Sequence, residues 1–195
     1  MKSFTTLAVS LMIGAAAAFA GDMQPLMVQR GAVLLDESFD GGALAGAERP
    51  ADHHAAVIKT PFTNTTAVVQ FSFMLKGDSG LHFSLNDAGG HNSRITVRTG
   101  SLMMRKDLDK KDPRSYSPVL DETGAAIAPD TWHTMIVELN GEEMLARVDD
   151  AIFLYGSHPG IDKEKTDFGF PVTGAAQFDN VKIWSAAPKI GRAHV

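Results

Sequence analysis

The sequence predicts an all-β protein, built as an antiparallel two-sheet sandwich or jelly roll, and three observations carry that prediction. Apolar and polar residues alternate with a period of two along much of the chain. Roughly ten stretches of this kind are separated by turns rich in glycine, asparagine and aspartate. Apolar residues make up 44% of the 195 residues, and no segment shows the 3.6-residue period of an amphipathic helix. Many short strands separated by turns are typical of a sandwich.

The first twenty residues have the three parts of a secretory signal peptide. Lys2 gives a positive start, residues 7–19 are apolar, and Ala18-Phe19-Ala20 is a small-residue cleavage site. We therefore expect a secreted or periplasmic protein that begins near Gly21. The chain has no cysteine, so we expect neither a disulfide nor a lipid-bearing cysteine as a membrane anchor.

The rest of the chain divides into three parts. We predict an N-terminal extension at residues 21–31, a β-sandwich domain at residues 32–186 and a tail at residues 187–195. The last six residues resemble the translation of a sequencing adapter, and the alternative is an ordinary disordered tail. Either interpretation leaves Arg192 and His194 out of the functional argument. The net charge is −5 and no basic stripe is present, which argues against nucleic acid as a partner.

Three successive strands with strong alternation are predicted at residues 68–75, 81–86 and 94–99, and we expect them to form an antiparallel meander with one apolar and one polar face. A hairpin is predicted around Asn140-Gly141, a dipeptide that favours a type I′ turn. The remaining strands are predicted at residues 32–39, 55–59, 132–139, 143–148, 151–155, 167–172 and 176–185.

The polar face of the predicted meander is the first candidate site. With simple antiparallel pairing it would group an imidazole, two amides, a hydroxyl and two guanidinium groups, contributed by Gln70, Ser72, His82, Asn86, Arg94 and Arg98. Amides and imidazoles suit sugar hydroxyl groups, and arginine suits a carboxylate or keto oxygen. The alternative is that this face is simply hydrated, which is common for antiparallel sheets.

Histidines near the strand ends form a second group of candidates. His53 and His54 precede a predicted strand, where a rim imidazole could act as a general acid or base, or could merely cap or face solvent. No third ligand at suitable spacing supports a zinc site. His91 and Asp87 flank the turn after the second meander strand, and turns at the ends of a sandwich often carry binding residues.

An acidic loop follows the meander. Asp107, Asp109 and Asp112 could supply oxygen ligands to calcium, but the lysines and arginine between them neutralise the loop, and the glycine and terminal glutamate of an EF-hand are absent. We favour a solvated charged loop. The sequence therefore predicts no metal and no cofactor.

Six stretches carry a resemblance to a known family: Val57-Ile-Lys-Thr-Pro-Phe62, Val69-Gln-Phe-Ser-Phe-Met-Leu75, Asp78-Ser-Gly-Leu-His-Phe83, Thr131-Trp-His133, Asn140-Gly141 and Phe178-Asp-Asn-Val-Lys-Ile-Trp184. Together they resemble the 3-keto-disaccharide hydrolases, concanavalin A-like jelly rolls that are often grouped loosely with glycoside hydrolase family sixteen. The resemblance covers residues 34–185. It implies a carbohydrate or modified disaccharide as the partner.

Three functional hypotheses follow. The resemblance implies cleavage of a glycosidic bond, and the polar face and its turn then offer His82 and Asp87 as the candidate catalytic residues. Substrate would then be bound by Gln70, Asn86, Arg94, Arg98, His53 and His91. The Glu-x-Asp-x-x-Glu signature of family-sixteen glucanases is absent, which excludes their usual two-carboxylate arrangement. The alternatives are a glycan-binding domain without turnover and an envelope-associated structural domain.

Overall fold

In the computed structural model, which describes residues 21–38, 47–48 and 57–189, the described residues form fourteen β-strands and one short 3₁₀ helix at Pro159–Ile161. The strands are β1 (Val28–Glu37), β2 (Ala47–Glu48), β3 (Val57–Asn64), β4 (Thr66–Leu75), β5 (Gly80–Asp87), β6 (Gly90–Arg98), β7 (Ser101–Lys106), β8 (Val119–Gly124), β9 (His133–Asn140), β10 (Glu143–Val148), β11 (Ile152–Ser157), β12 (Lys165–Gly169), β13 (Val172–Thr173) and β14 (Ala176–Pro188). The signal peptide, His53, His54 and the last six residues lie outside the described part of the chain.

The strands form two antiparallel sheets. One sheet has six strands in the order β1-β14-β4-β9-β10-β11, and the other has eight, in the order β2-β3-β12-β5-β6-β7-β8 with β13 beside β5. This arrangement confirms the predicted all-β, two-sheet jelly-roll sandwich. No helix in the described ranges is long and apolar enough to cross a bilayer.

A single apolar core lies between the sheets and is filled from both sides by the inward residues of each strand. Four phenylalanines pack at its centre. The rings of Phe71 and Phe83, which come from opposite sheets, have centroids 5.4 Å apart, and Phe170 contacts Phe71 edge-on at 4.7 Å. Phe168 extends the cluster beside Phe83. All four side chains are almost fully buried, so the apolar face of each alternating strand is fixed toward the interior.

The predicted pairing of the first two meander strands is wrong. β4 lies between β14 and β9 in the six-stranded sheet, whereas β5 lies between β12 and β6 in the other sheet. The turn after Leu75 crosses from one sheet to the other, and its Lys76 N–H donates to the carbonyl of Ala175 on the way. The local alternation predicts which face each residue takes, but it does not predict which strand lies alongside. The actual meander is β5-β6-β7-β8.

The hairpin between β9 and β10 differs from the prediction by one residue. Asn140 pairs with Glu143, so the two-residue loop consists of Gly141 and Glu142. Gly141 has φ +59°, and Glu142 does not have a positive φ. Glycine at the first loop position is the pattern of a type II′ turn rather than type I′.

The residues that precede β1 cover the outer face of the six-stranded sheet. Met23 and Met27 are buried there against an apolar group that includes Val68, Ile136 and Trp184. The predicted boundary at residue 32 therefore divides β1, which begins at Val28. At the other end, β14 continues through Pro188, two residues beyond the predicted domain.

Candidate functional site

The outward surface of the eight-stranded sheet collects polar and cationic side chains from three adjacent strands. We call this surface the arginine face. It is formed by His82, Ser84, Asn86, Arg94, Thr96, Arg98, Met103 and Arg105. The alternation of β5 explains the arrangement, because Leu81, Phe83 and Leu85 are buried in the core and the residues between them point outward.

Two rows of residues cross the arginine face perpendicular to the strands. Ser84, Arg94 and Arg105 are register partners in one row. His82, Thr96 and Met103 form the next row. Partners on neighbouring strands lie about 5 Å apart at Cβ, so the groups of each row could touch one small ligand.

The His82 ring is held within its row. Its Nδ1 atom lies 2.9 Å from the hydroxyl oxygen of Thr96. Burial lowers the pKa of His82, and the positive charges of Arg94 and Arg98 lower it further. The neutral imidazole that results keeps one nitrogen as a donor and the other as an acceptor, which suits a sugar hydroxyl.

Arg94 is fixed by a bidentate ion pair with the first residue of the acidic loop. Its Nε donates to Asp107 at 2.9 Å and its Nη2 lies 2.7 Å from the other carboxylate oxygen. The side chain of Asp107 is only 6% exposed, so this contact is a fixed structural element rather than a transient surface pair. It joins the loop to the arginine face.

Asn86 stands at the end of the face toward the turn into β6. Its amide nitrogen donates to Asp167 on β12, and its amide oxygen is 2.8 Å from Nδ1 of His91. Asn86 and His91, which were predicted separately as binding residues, are therefore brought together. The carboxylate of Asp167 was missed by the sequence reasoning.

Arg98 and Arg105 are the least constrained cations of the face. Arg98 is exposed, and none of the described residues forms an ion pair or hydrogen bond with it through its guanidinium group. Arg105 reaches only the carbonyl oxygen of Ser117 at 3.5 Å, and its Nε is buried without a partner. The neighbouring Tyr116 is 68% exposed on the same loop.

Asp87 is separated from His82. It lies at the opposite end of β5 and on the other side of the strand, where it accepts hydrogen bonds from the Gly89 amide at 2.6 Å and from Asn92 at 2.9 Å. Lys163 lies 3.8 Å away. Asp87 therefore serves the turn, and the structure does not bring the two predicted catalytic residues together.

Gln70 and Ser72 are not part of the arginine face, since β4 belongs to the other sheet. Gln70 is 3% exposed and accepts a hydrogen bond from the Met23 amide under the N-terminal segment. The predicted grouping of Gln70 with His82 is therefore wrong. The reason is the change of sheet between β4 and β5.

Sequence reasoning missed Thr96, Met103, Arg105 and Tyr116 as members or neighbours of the face. The signal for two of them is present in the alternation of residues 101–106, where Leu102 and Met104 are buried and Met103 and Arg105 point outward. That strand was overlooked because the lysine at its end and the charged loop after it mask the period of two.

The three loop aspartates have protein partners. Asp107 pairs with Arg94, Asp109 with Lys163 and Asp112 with Arg114. Within the residues that the structure describes, no group of three or more His, Asp or Glu side chains is arranged to hold a metal ion. These contacts favour the interpretation as a charged loop.

Together these features define a two-sheet jelly-roll sandwich with a polar outer face on the larger sheet. No family model matches the chain, and no curated protein matches its sequence. Solved structures do match the fold, and three are described next.

The first is a Bacillus subtilis protein of unknown function with a galectin-like fold, at 11% identity and a TM-score of 0.58 over 84% of this chain and 100% of that one. The carbohydrate-binding module CBM66 from Bacillus subtilis matches at 15% identity and a TM-score of 0.53, over 68% and 83%. CG-16, a homodimeric agglutinin from chicken liver, matches at 8% and 0.51, over 65% and 98%. They support the jelly roll and do not reach the particular hydrolase family.

Proposed function

We propose that the protein binds carbohydrate through the arginine face. The observation that carries the proposal is the clustering of a neutral imidazole, a carboxamide and three guanidinium groups on one side of three adjacent strands. Such groups supply both donors and acceptors in the fixed directions that a sugar's hydroxyl groups need. Support also comes from the fold, since two of the similar structures are named as a carbohydrate-binding module and an agglutinin.

The low exposure of the small residues on this face favours a built site. Ser84, Asn86 and Thr96 point outward but are only 4%, 7% and 6% exposed, so they form a floor below the longer side chains around them. A floor of short polar residues with arginine and histidine at its sides resembles a subsite for a ring more than a hydrated strand surface.

Cleavage of a glycosidic bond, as in 3-keto-disaccharide hydrolases, is the second candidate. It is favoured by His82, whose lowered pKa leaves a neutral base on the face at pH 7. The described carboxylates beside that face are already engaged, Asp107 by Arg94 and Asp167 by Asn86. Because Asp87 does not reach His82, binding without turnover is the better supported function. Export through the signal peptide remains part of the proposal and places the protein where extracellular glycans occur.

Calorimetric titration of the mature protein with a panel of oligosaccharides tests the binding function. A ligand found in this way should bind His82→Ala at least about fivefold more weakly, since one hydrogen bond contributes about 1 kcal/mol. Gln177→Ala is the matched control, because Gln177 is an exposed polar residue on the other sheet. Equal loss in both variants, or no loss in His82→Ala, would contradict binding at the arginine face.

The same samples distinguish the two candidate functions. Release of monosaccharide from a 3-keto-glycoside, abolished in His82→Ala and retained in Gln177→Ala, would establish the enzyme. Binding without product supports the proposal as stated. The absence of both binding and product across the panel would leave only the structural hypothesis.

A further inference from the structure

Two of the three arginines on the arginine face, Arg98 and Arg105, form no ion pair with a carboxylate of the described residues. Arg94 is satisfied by Asp107, and Asp167 is engaged by Asn86. No carboxylate of the described residues is paired with Arg98 or Arg105. The exposed Glu122 lies on the edge strand β8, opposite Met103, and its carboxylate forms no ion pair with either arginine.

Arg105 is the more informative of the two unpaired arginines. It is the direct register partner of Arg94, and like charges placed opposite each other destabilise a sheet. The other partly buried arginines have better partners. Arg147 donates to Asp150 and to the carbonyl of Gln24, whereas Arg105 has one long hydrogen bond, 3.5 Å from the Ser117 carbonyl oxygen. A cation kept in an unfavourable position, with no carboxylate partner among the described residues, is suited to a ligand's negative charge.

We propose that the ligand of the arginine face is an anionic glycan, whose carboxylate or sulfate groups are bound by Arg105 and Arg98. This inference rests on the proposed function, which it narrows to a substrate class. Guanidinium groups bind two oxygens of a carboxylate or a sulfate group through paired N–H donors, which an ammonium group does not do. The neutral residues His82, Ser84 and Asn86 then contact the hydroxyl groups of the same chain.

The spacing of the arginines favours an oligosaccharide over a single sugar acid. Arg98 and Arg94 lie four residues apart on β6, which is about 13 Å along a strand. Arg105 is the register partner of Arg94, so the Cα atoms of the two unpaired arginines, Arg98 and Arg105, are separated by a comparable distance. This distance exceeds one sugar ring. The two cations are therefore expected to contact acidic groups on different residues of the glycan.

A matched pair of ligands tests the charge requirement. Oligogalacturonate and its methyl ester have the same sugar rings, but only the first carries carboxylates; heparin oligosaccharide adds sulfate, and dextran is a neutral reference. We expect the acid or the sulfated chain to bind at least about tenfold more tightly than the ester and dextran at low salt. The difference should shrink as ionic strength rises, because salt screens exposed charges.

Variants locate the effect. Arg105→Gln and Arg98→Gln should each weaken binding of the anionic probe about tenfold or more and leave binding of the methyl ester within about twofold. Lys182→Gln, which removes a cation from the outer side of the other sheet, is the control and should leave both affinities unchanged. Thermal unfolding of each variant reports whether it is folded.

Each outcome separates the inference from the function on which it rests. Tight binding of dextran or the ester, with no preference for the acid, would overturn the anionic ligand and keep the carbohydrate site. Equal weakening by Lys182→Gln would show a general charge effect and would also overturn the inference. Failure of every saccharide to bind would reject both. Selective loss of binding of the anionic probe in Arg105→Gln and Arg98→Gln would establish the anionic glycan as the ligand.

Discussion

The outer faces of the two sheets differ in how their polar side chains are paired. On the six-stranded sheet, Glu138 is completely buried, and its carboxylate accepts hydrogen bonds from three successive backbone amides of the N-terminal segment, at Leu26, Met27 and Val28. On the eight-stranded sheet, Arg105 has one weak contact. The first face has a protein segment as its permanent partner, whereas the second retains donors for a partner from outside.

The arginines of the covered face contact an aromatic ring, carboxylates and carbonyl groups of the protein. Arg30 stacks over the ring of Trp184 at 4.0 Å and donates to the carbonyl of Met23. Arg147 lies 3.9 Å from Glu138 and is bonded to Asp150. Polar groups of this face therefore hold the N-terminal segment in place. On the arginine face, Arg94 holds the acidic loop through Asp107.

The largest effect is expected on the covered face. Glu138→Ala removes the acceptor of three buried amides and a neighbour of Arg147, so it should lower the free energy of unfolding by about 3–5 kcal/mol. Urea denaturation measures this loss. Glu142→Ala is the control, because Glu142 is an exposed glutamate in the nearby turn and should change stability by less than about 0.5 kcal/mol. A loss below about 1 kcal/mol for Glu138→Ala would contradict the structural role of this carboxylate.

This contrast shows how far sequence reasoning reaches. Alternation correctly predicts that His82, Asn86, Arg94 and Arg98 leave the core on one side, because side-chain direction depends only on the neighbouring residues of the same strand. It does not predict that Gln70 lies on the other sheet. That outcome depends on pairings between residues of β4 and partners sixty or more positions away in the chain.

Local sequence patterns also do not predict where the N-terminal segment packs. Residues 21–27 have no period, and they are ordered by Glu138, which is over a hundred residues away in the chain. Within a predicted strand this glutamate has the pattern of an exposed residue, since it alternates with Val137 and Leu139. Only the segment packed over the sheet explains its burial. Arg105 was missed for a different reason, because the charged residues after its strand mask an alternation that is present locally.

Two histidines sharpen the comparison through pH. His133 lies 2.6 Å from Asp149 and 3.0 Å from the Ala128 carbonyl oxygen; the hydrogen bond to Asp149 raises its pKa despite burial. Burial and nearby arginines lower the pKa of His82. A raised pKa stabilises the folded state below about pH 6.5, the unfolded value, and that stabilisation is lost as pH rises through the folded pKa. A lowered pKa gives stability above pH 6.5 that is lost as pH falls.

We therefore expect opposite pH profiles for two variants. In the unsubstituted protein, deprotonation of His133 should lower the free energy of unfolding by on the order of 1 kcal/mol as the pH rises above 6.5, and His133→Gln should abolish this loss. The value is modest because Asp149 is partly exposed. His82→Gln should abolish a loss below pH 6.5. Urea denaturation between pH 5 and pH 8.5, with NMR titration of each imidazole, measures both. Parallel profiles would mean that the two rings have similar surroundings, contrary to the structure.

The smallest effect is expected on the arginine face and has the opposite sign to that of Glu138→Ala. Without ligand, Arg105→Gln should raise the free energy of unfolding by roughly 0.2–1 kcal/mol, because it removes a like charge opposite Arg94. Arg94→Gln should instead destabilise, since it leaves the buried carboxylate of Asp107 unpaired. Urea denaturation at low ionic strength resolves the two signs. If the charge of Arg105 served the fold, removing it would lower the free energy of unfolding. Destabilisation by Arg105→Gln would therefore contradict a role for this charge in ligand binding.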